Sequence, residues 1–329
     1  MKTRFIRVDS KNPDKAKISQ AANILTSAGL VAFPTETVYG LGADALNSKA
    51  VRKIYKAKGR PRDNPMIVHV ASVKDAKRLV KRFPLKAIRL TKKFWPGPLT
   101  IILPKDGSVP KETTAGLNTV ALRMPDHPVA LALLREANVP IAAPSANSSG
   151  KPSPTTAAHV KNDLDGQIDA IIDGGPSRIG VESTVIDMST KTPTILRPGA
   201  VTVEQIRRIL KDVRVHQPSK NEKKPRSPGM KYRHYAPKAR LILVVGEEKD
   251  VAAKAMELAA GYTAKGKKAR IIGAKGKTQA RTAAQLYGLM RKYDKERADI
   301  IIAEATTEKG LGLAVMNRLR KAATKTVVA

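Results

Sequence analysis

Two segments, KAKGRPRDNP (Lys56 to Pro65) and PIAAPSANSSGKPSPTT (Pro140 to Thr156), hold the residue types best suited to chemistry. The first sets Lys56, Lys58, Arg60 and Arg62 at every second position, so an extended surface turn would send Lys58 and Arg60 to one side. Two cations there can converge on one anion, although the spacing also fits a solvated charge run. Gly59 and Pro61 constrain the backbone, and Asn64 and Pro65 close the turn ahead of a strand carrying His69. In the second segment PIAA reads as a short buried strand whose end delivers Ser145 and Asn147. Gly150, Ser153 and Pro154 then lead into a helix beginning near Thr155. Free N–H groups at such a helix start favour a phosphate, while an ordinary serine-rich N-cap fits equally well. Brought together, the two segments would form a polyphosphate site without a Walker loop.

Composition narrows the chemistry. There are no cysteines, which excludes thiol nucleophiles, disulfides and thiolate zinc sites. His69, His127, His159, His216 and His234 are scattered without H-E-x-x-H spacing, so no metal site built from protein ligands is expected. A Mg²⁺ held mainly by substrate phosphates stays open. The chain opens on mixed polar residues, and no apolar run approaches the roughly 20 residues of a membrane span. The expectation is a soluble, cytoplasmic protein with no membrane partner. Lys plus Arg number 61 against 28 acids, a formal charge of +33. Such a field suits nucleotides or RNA, and equally serves general solubility.

The elements that must position these residues follow α/β grammar. From Arg4 to Asp212 short apolar runs (LVAF, MIVHVA, LTIIL, TVALRM, PIAAPSA, AIID, STVIDM, TILRP) alternate with helical stretches. Asn12 is positioned to cap a first helix, with Pro13 in its first turn, Ile18, Ala21, Ala22 and Leu25 on its apolar face and Gly29 at its end. Thr202 and Gln205 form a capping box for another helix, with Ile206, Ile209 and Leu210 facing inward. Residues 213–239 are rich in proline and basic residues and read as a linker. A second alternation over 240–329 (RLILVVG, ARIIGA and DIIIAEA with three helices) predicts a smaller three-layer α/β domain. The expected domains are therefore 1–212 and 240–329.

Two motifs mislead. GLGADA (Gly40 to Ala45) matches a dinucleotide fingerprint, but the preceding strand stops too early, at Pro34. Gly276, Lys277 and Thr278 resemble the end of a Walker loop, yet Ile271 stands where its first glycine belongs, and a helix cap is the better reading. Other strand ends place Thr35, Arg123 and Ser183 toward a small ligand. Arg123 lies in an apolar strand and needs an anion, either a ligand carboxylate or an internal partner such as Asp187 or Asp173.

The succession PTETVYGLG, K-x-R-P-x-x-N-P, WPGPLT, R-x-P, APSAN, ESTV, LRPG and SPGMKYRHYAP resembles the threonylcarbamoyl-AMP synthase family in its two-domain form. The resemblance implies a YrdC-like twisted-sheet α/β domain followed by a smaller Rossmann-like three-layer α/β domain. It implies condensation of L-threonine, bicarbonate and ATP to threonylcarbamoyl-AMP and pyrophosphate, with Mg²⁺ accompanying ATP. The product would serve N6-threonylcarbamoylation of the tRNA adenosine next to the anticodon. The implied partners are a tRNA threonylcarbamoyltransferase and tRNA, or double-stranded RNA more generally. The family's Lys/Arg/Ser/Asn tetrad falls on Lys58, Arg60, Ser145 and Asn147 as catalytic residues. ATP contacts would add Asn64, Thr119, Ser153, Arg197 and Tyr235, the last making the linker an active-site lid. Threonine contacts would fall on Thr35, His69, Arg123, Ser183 and the backbone at Ala143.

Overall fold

β-Branched runs buried on both faces, and helices with one apolar stripe, can bury their surfaces only by layering. The computed structural model, which describes residues 2–217, 225–227 and 235–329, does so twice. The first sheet contains β1 (Arg4–Arg7), β2 (Val31–Phe33), β3 (Gly40–Asp44), β4 (Ile67–His69), β5 (Leu99–Pro104) and β6 (Thr119–Arg123). It continues with β7 (Ile141–Ala142), β8 (Ala170–Asp173), β9 (Thr184–Asp187), β10 (Thr194–Arg197) and β11 (Arg214–Val215). Its spatial order is β1-β8-β2-β3-β7-β4-β6-β5-β9-β10-β11, with parallel and antiparallel neighbours mixed. β11 lies beyond residue 212, so the first sheet takes in the start of the segment read as linker.

One face packs on helices Lys15–Thr26 and Pro128–Ala137, whose Ile18, Leu25, Leu133 and Leu134 are buried. The other packs on helices Ser48–Lys58, Leu85–Phe94 and Ala157–Leu164 through Val51, Ile54, Leu90 and Val160. Full burial of each such side chain contributes about 1.5–3 kcal/mol. The first helix starts later than expected: its cap is Asp14, which accepts from Lys17 N at 2.9 Å, while Asn12 donates its own N–H to Asp9. That helix also stops at Thr26, before Gly29, because Ala28 turns to φ 59°. The Thr202/Gln205 capping box is formed, although the helix it opens is only Val203–Arg207.

The second sheet is β12 (Arg240–Val245), β13 (Ala269–Ile272), β14 (Ile300–Glu304) and β15 (Lys325–Val328), all parallel in the order β13-β14-β12-β15. β15 is not evident from the sequence, where its short KTVV run looks like a tail. Side chains alternate along β12: Ile242 and Val244 meet helix Glu248–Ala264, while Leu241 and Leu243 meet helices Gln279–Lys295 and Leu311–Ala322. That latter core also takes in Val38 and Val181, so the two units share an apolar seam. GLGADA forms β3, paired antiparallel to β2, and is no phosphate loop. Thr278 caps helix Gln279–Lys295, accepting from Arg281 N at 3.2 Å.

Candidate active site

The alternating cations predict Lys58 on an extended surface turn, and the structure corrects this. Helix Ser48–Lys58 runs on through Lys58, and Gly59 ends it in the left-handed conformation at φ 58°. Lys56 therefore points to solvent while Lys58 is buried, 3 % exposed. The helix end and the glycine turn, not strand alternation, bring Lys58 and Arg60 inward.

Lys58 Nζ donates to the carbonyl oxygens of Ser145, at 2.5 Å, and Asn147. Reciprocally, Ser149 N donates to Lys58 O at 2.9 Å. The loop after β7 is held on its other side by Leu41 N to Pro144 O and Ala146 N to Tyr39 O, both 2.8 Å. Within it, Ser145 Oγ donates to Asn147 Oδ1 at 2.6 Å, and Asn147 Nδ2 donates to the carbonyls of Ser148 and Lys151. The two chemistry-bearing segments are thus stitched into one ledge. Arg60 folds over its own turn, donating from Nε to Asn64 O at 3.2 Å and from Nη2 to Pro65 O at 2.8 Å.

Among the described residues no carboxylate forms an ion pair with Lys58. Burial, and next the neighbouring Arg60 charge, push its pKa well below the usual lysine value. Burial likewise brings Arg60 down to about 10, against the opposing pull of Tyr55 and Tyr235. Two neighbouring cations that rest on backbone carbonyls make a site that gains from an anion.

Arg60 and Ser145 line a cavity of about 60 Å³ together with Thr35, His69, Arg123 and Ala143. Its far wall carries Glu182, Ser183, Arg197 and Tyr235. Arg123 is 4 % exposed and its partner is Glu36, with Nη2 to Oε1 at 2.6 Å, rather than Asp187 or Asp173. The pair is close but lacks hydrogen-bond alignment, leaving Arg123 Nε and both Glu36 oxygens without hydrogen-bond partners. His69 Nδ1 is also buried and unpartnered. Burial and the Arg123 charge lower His69 to about 3, so it stays neutral at ordinary pH.

Thr35 Oγ1 donates to Val38 O at 2.6 Å and accepts from the N–H groups of Thr37 and Val38. Ser183 Oγ pairs with Thr100 Oγ1 at 2.8 Å. Arg197 holds the Ser183 carbonyl from Nε and Nη2, at 3.2 and 3.1 Å.

Lys58 and Asn147 belong to the ledge without lining that cavity, and three further expected contacts, Asn64, Thr119 and Ser153, are also absent from its walls. Asn64 is buried behind the Arg60 turn with both amide atoms unpartnered. Thr119 opens β6 two residues before the Ile67↔Ala121 pair, at the same strand end as Asn64. Ser153 donates to Glu182 Oε1 at 2.5 Å, behind the cavity wall. The helix after Ser153 begins at Ala157 with Thr156 as cap, and its first turn does not line the cavity.

Glu36, Glu182, Tyr287 and Arg318 carry no such signal in the sequence. Glu36 and Glu182 stand beside Thr35 and Ser183, within PTETVYGLG and ESTV. Arg318 has a subtler mark: it interrupts the apolar face Ala314, Val315, Leu319, Ala322. Of the linker motif SPGMKYRHYAP, residues 228–234 lie outside the described residues, while Tyr235 lies against the cavity. Among the described residues no group of three or more His, Asp or Glu could hold a metal ion. No helix among them is long and apolar enough to cross a membrane.

Comparison with known proteins agrees with this layout. A family model described as "Telomere recombination" (Sua5, YciO, YrdC) matches residues 23–199. A second, "Threonylcarbamoyl-AMP synthase, C-terminal domain", matches residues 201–324. Threonylcarbamoyl-AMP synthase of Pyrococcus abyssi is 51 % identical over 318 residues, 93 % of this chain and 94 % of that protein. That of Bacillus subtilis is 50 % identical over 340 residues, 98 % of each chain. The crystal structure of P. abyssi Sua5 complexed with L-threonine superposes with a TM-score of 0.96 at 48 % identity, covering 99 % of this chain and 100 % of that one. A lysine-arginine turn stitched to a serine-asparagine loop, a small cavity beside it and a second α/β unit sharing an apolar seam with the first thus come with matches along nearly the whole chain: it belongs to the threonylcarbamoyl-AMP synthase family, in its two-domain form.

Proposed function

We propose that this protein is an L-threonylcarbamoyladenylate synthase, a nucleotidyltransferase. It joins L-threonine, bicarbonate and ATP into threonylcarbamoyl-AMP and releases pyrophosphate, for N6-threonylcarbamoyladenosine formation in tRNA. The observation that carries this reading is the Lys58 ammonium seated on the Ser145 and Asn147 carbonyls beside Arg60, without a carboxylate partner among the described residues.

The chemistry asks little acid-base work of the protein. A carbamate formed from the threonine amine and bicarbonate with loss of water is already an anionic nucleophile, and its attack on the α-phosphorus expels pyrophosphate. Holding the reactants in line supplies up to about 7–11 kcal/mol of the barrier. Lys58 and Arg60 offset charge growing on the phosphate oxygens, while Ser145 and Asn147 keep the lysine aimed. Mg²⁺ arriving with ATP would rest on the phosphates and add charge neutralisation.

Arg123 is the partner for the threonine carboxylate, its unpaired Nε providing a donor that Glu36 does not use. Neutral His69 and the hydroxyls of Thr35 and Ser183 face the same small cavity and suit the substrate's hydroxyl. A volume of about 60 Å³ is far below the roughly 300–1,000 Å³ of sites for larger ligands. Admission of ATP to this cavity would involve movement of Tyr235, in keeping with a lid role for that residue.

The net charge of +33 favours an approach to tRNA, and the product's fate calls for a threonylcarbamoyltransferase downstream. The deciding experiment is pyrophosphate release from ATP with purified protein. Release that depends on both threonine and bicarbonate is expected; release indifferent to threonine would refute the assignment.

A further inference from the structure

The cavity's far wall is held from behind by the second unit. Gly180, in the segment leading to Glu182, lies so close to helix Gln279–Lys295 that a Cβ would meet Ala283 O and Ala284 Cα at 2.5 Å. Through this contact helices Gln279–Lys295 and Leu311–Ala322 present Tyr287 and Arg318, both 0 % exposed, to the wall. Arg318 Nε donates to Glu182 Oε2 at 2.9 Å, and its Nη1 donates to Pro198 O at 2.6 Å. The Tyr287 hydroxyl lies 3.1 and 3.0 Å from the two Glu182 oxygens, sharing one proton between them.

With Ser153 Oγ added, both oxygens of Glu182 are occupied. Glu182 is therefore unavailable as a base or as a substrate contact, although it lines the cavity. Its carboxylate instead ties three chain segments to one point.

Tyr235 is held by the same two residues. Its backbone is at φ 68°, an uncommon conformation for a residue with a side chain that its contacts must help to hold. Those surroundings include the Tyr287 ring, stacked at 5.6 Å and 27°, the Arg318 guanidinium, 5.5 Å from the Tyr235 ring centre, and, from the first unit, the Arg197 side chain, which hydrogen-bonds Tyr235. Apolar contacts of Val38 and Val181 already join the units, so a buried ion pair is not required merely to hold them. It occurs where it touches two cavity-lining residues.

We infer that Tyr287 and Arg318, supplied by the second unit, are positioning residues of the catalytic site that set Tyr235 and Glu182 in the closed wall against which the nucleotide is bound. This rests on the synthase reading above. It gives the second unit a role inside the reaction: it decides how readily the Tyr235 wall closes.

The test uses the full-length protein, with ATP and threonine varied separately in pyrophosphate-release assays. Tyr287→Leu and Arg318→Met should each raise the KM for ATP about tenfold while shifting that for threonine by less than about twofold. Combining Tyr287→Leu with Tyr235→Ala should cost less than the sum of the two single losses, because part of the Tyr287 effect acts through the Tyr235 ring and the rest through Glu182. Additive losses, or equal rises in both KM values, would overturn the inference. Tyr287→Phe keeps the stacking and removes only the hydroxyl, so it serves if the leucine variant does not fold; an ATP KM unchanged in both Tyr287→Phe and Arg318→Met would also overturn it.

A second readout needs no turnover. In fluorotyrosine-labelled protein the Tyr235 resonance, identified by its loss in Tyr235→Phe, should move in Tyr287→Leu as the ring-current contribution disappears. An unmoved resonance rejects the clamp. Failure of the unaltered protein to release pyrophosphate would instead remove the synthase reading, and the fluorine signal would still judge the clamp.

Discussion

Lys58 Nζ lies 2.5 Å from Ser145 O, joining residues 87 apart in sequence and closing the helix end onto the loop after β7. This contact gives Lys58 two duties, anion partner and loop anchor. Arg60→Ala should lower turnover by about 10²–10³ and also lower the melting temperature, since the carbonyls of Asn64 and Pro65 lose their donor. Lys58→Ala should lower turnover at least as far and also destabilise the fold, because two carbonyls lose their donor at about 1–3 kcal/mol each. Pyrophosphate assays paired with thermal melts check both; wild-type turnover in either variant would remove that residue from the chemistry.

The depressed lysine sets an alkaline limit. Lys58 is cationic only below its own pKa, which burial has moved below the usual 10.5. Activity dependent on its charge should therefore decline as pH rises through that lowered value, and kcat/KM for ATP measured against pH follows it. Lys58→Arg, if active, should move the decline upward. His69, lowered to about 3, should contribute no inflection between pH 5 and 8, a range taken from the ordinary histidine titration.

Threonine selection should separate from ATP use. Arg123→Lys keeps a charge but loses the forked donor set, so the threonine KM should rise about tenfold or more while the ATP KM holds. Amino acids lacking the hydroxyl should be poor substrates because the buried His69 Nδ1 would then stay without a hydrogen-bond partner. Competition assays with 2-aminobutyrate check this, and equal efficiency with threonine would contradict it.

Tyr235→Ala should weaken nucleotide use by opening the wall it forms. The expected signature is a raised KM for ATP with a smaller change for threonine. Unchanged ATP kinetics would return the segment to a tether.

Stability should depend on the seam as well. Arg318→Met leaves Glu182 buried without its cation and should cost about 3–5 kcal/mol in urea unfolding. Adding Glu182→Gln should recover part of this. Burial works against the Glu182 charge, but Arg318 and Arg197 outweigh it and hold the folded pKa below 4.5. The stabilisation is thus present above pH 4.5 and is lost as pH falls through the lowered value.

Periodic apolar runs make the α/β character and both sheets readable from sequence, because side-chain burial imposes that period directly. The capping box at Thr202 is equally legible, its two hydrogen bonds being local. The end of helix Ser48–Lys58 is not. Gly59 permits the turn wherever it falls, and only packing of Tyr55 and Lys58 carries the helix to its edge.

The residues around Lys58 and Ser145 stand out in the sequence because turns concentrate unusual residue types. Glu182, Tyr287 and Arg318 do not, since tyrosine and arginine in a helix are ordinary until burial gives them partners.

By itself the sequence determined the inventory: no thiols, two α/β units, and a cation turn and a hydroxyl-amide loop able to bind anions. Those are properties of residue type and short-range spacing. Tertiary structure alone decided that the turn and loop meet, that Arg123 faces Glu36 rather than Asp187, and that the second unit closes the wall at Tyr235. Such choices depend on which buried charges find partners across the fold, and no local pattern encodes a contact between Glu182 and Arg318, 136 residues apart.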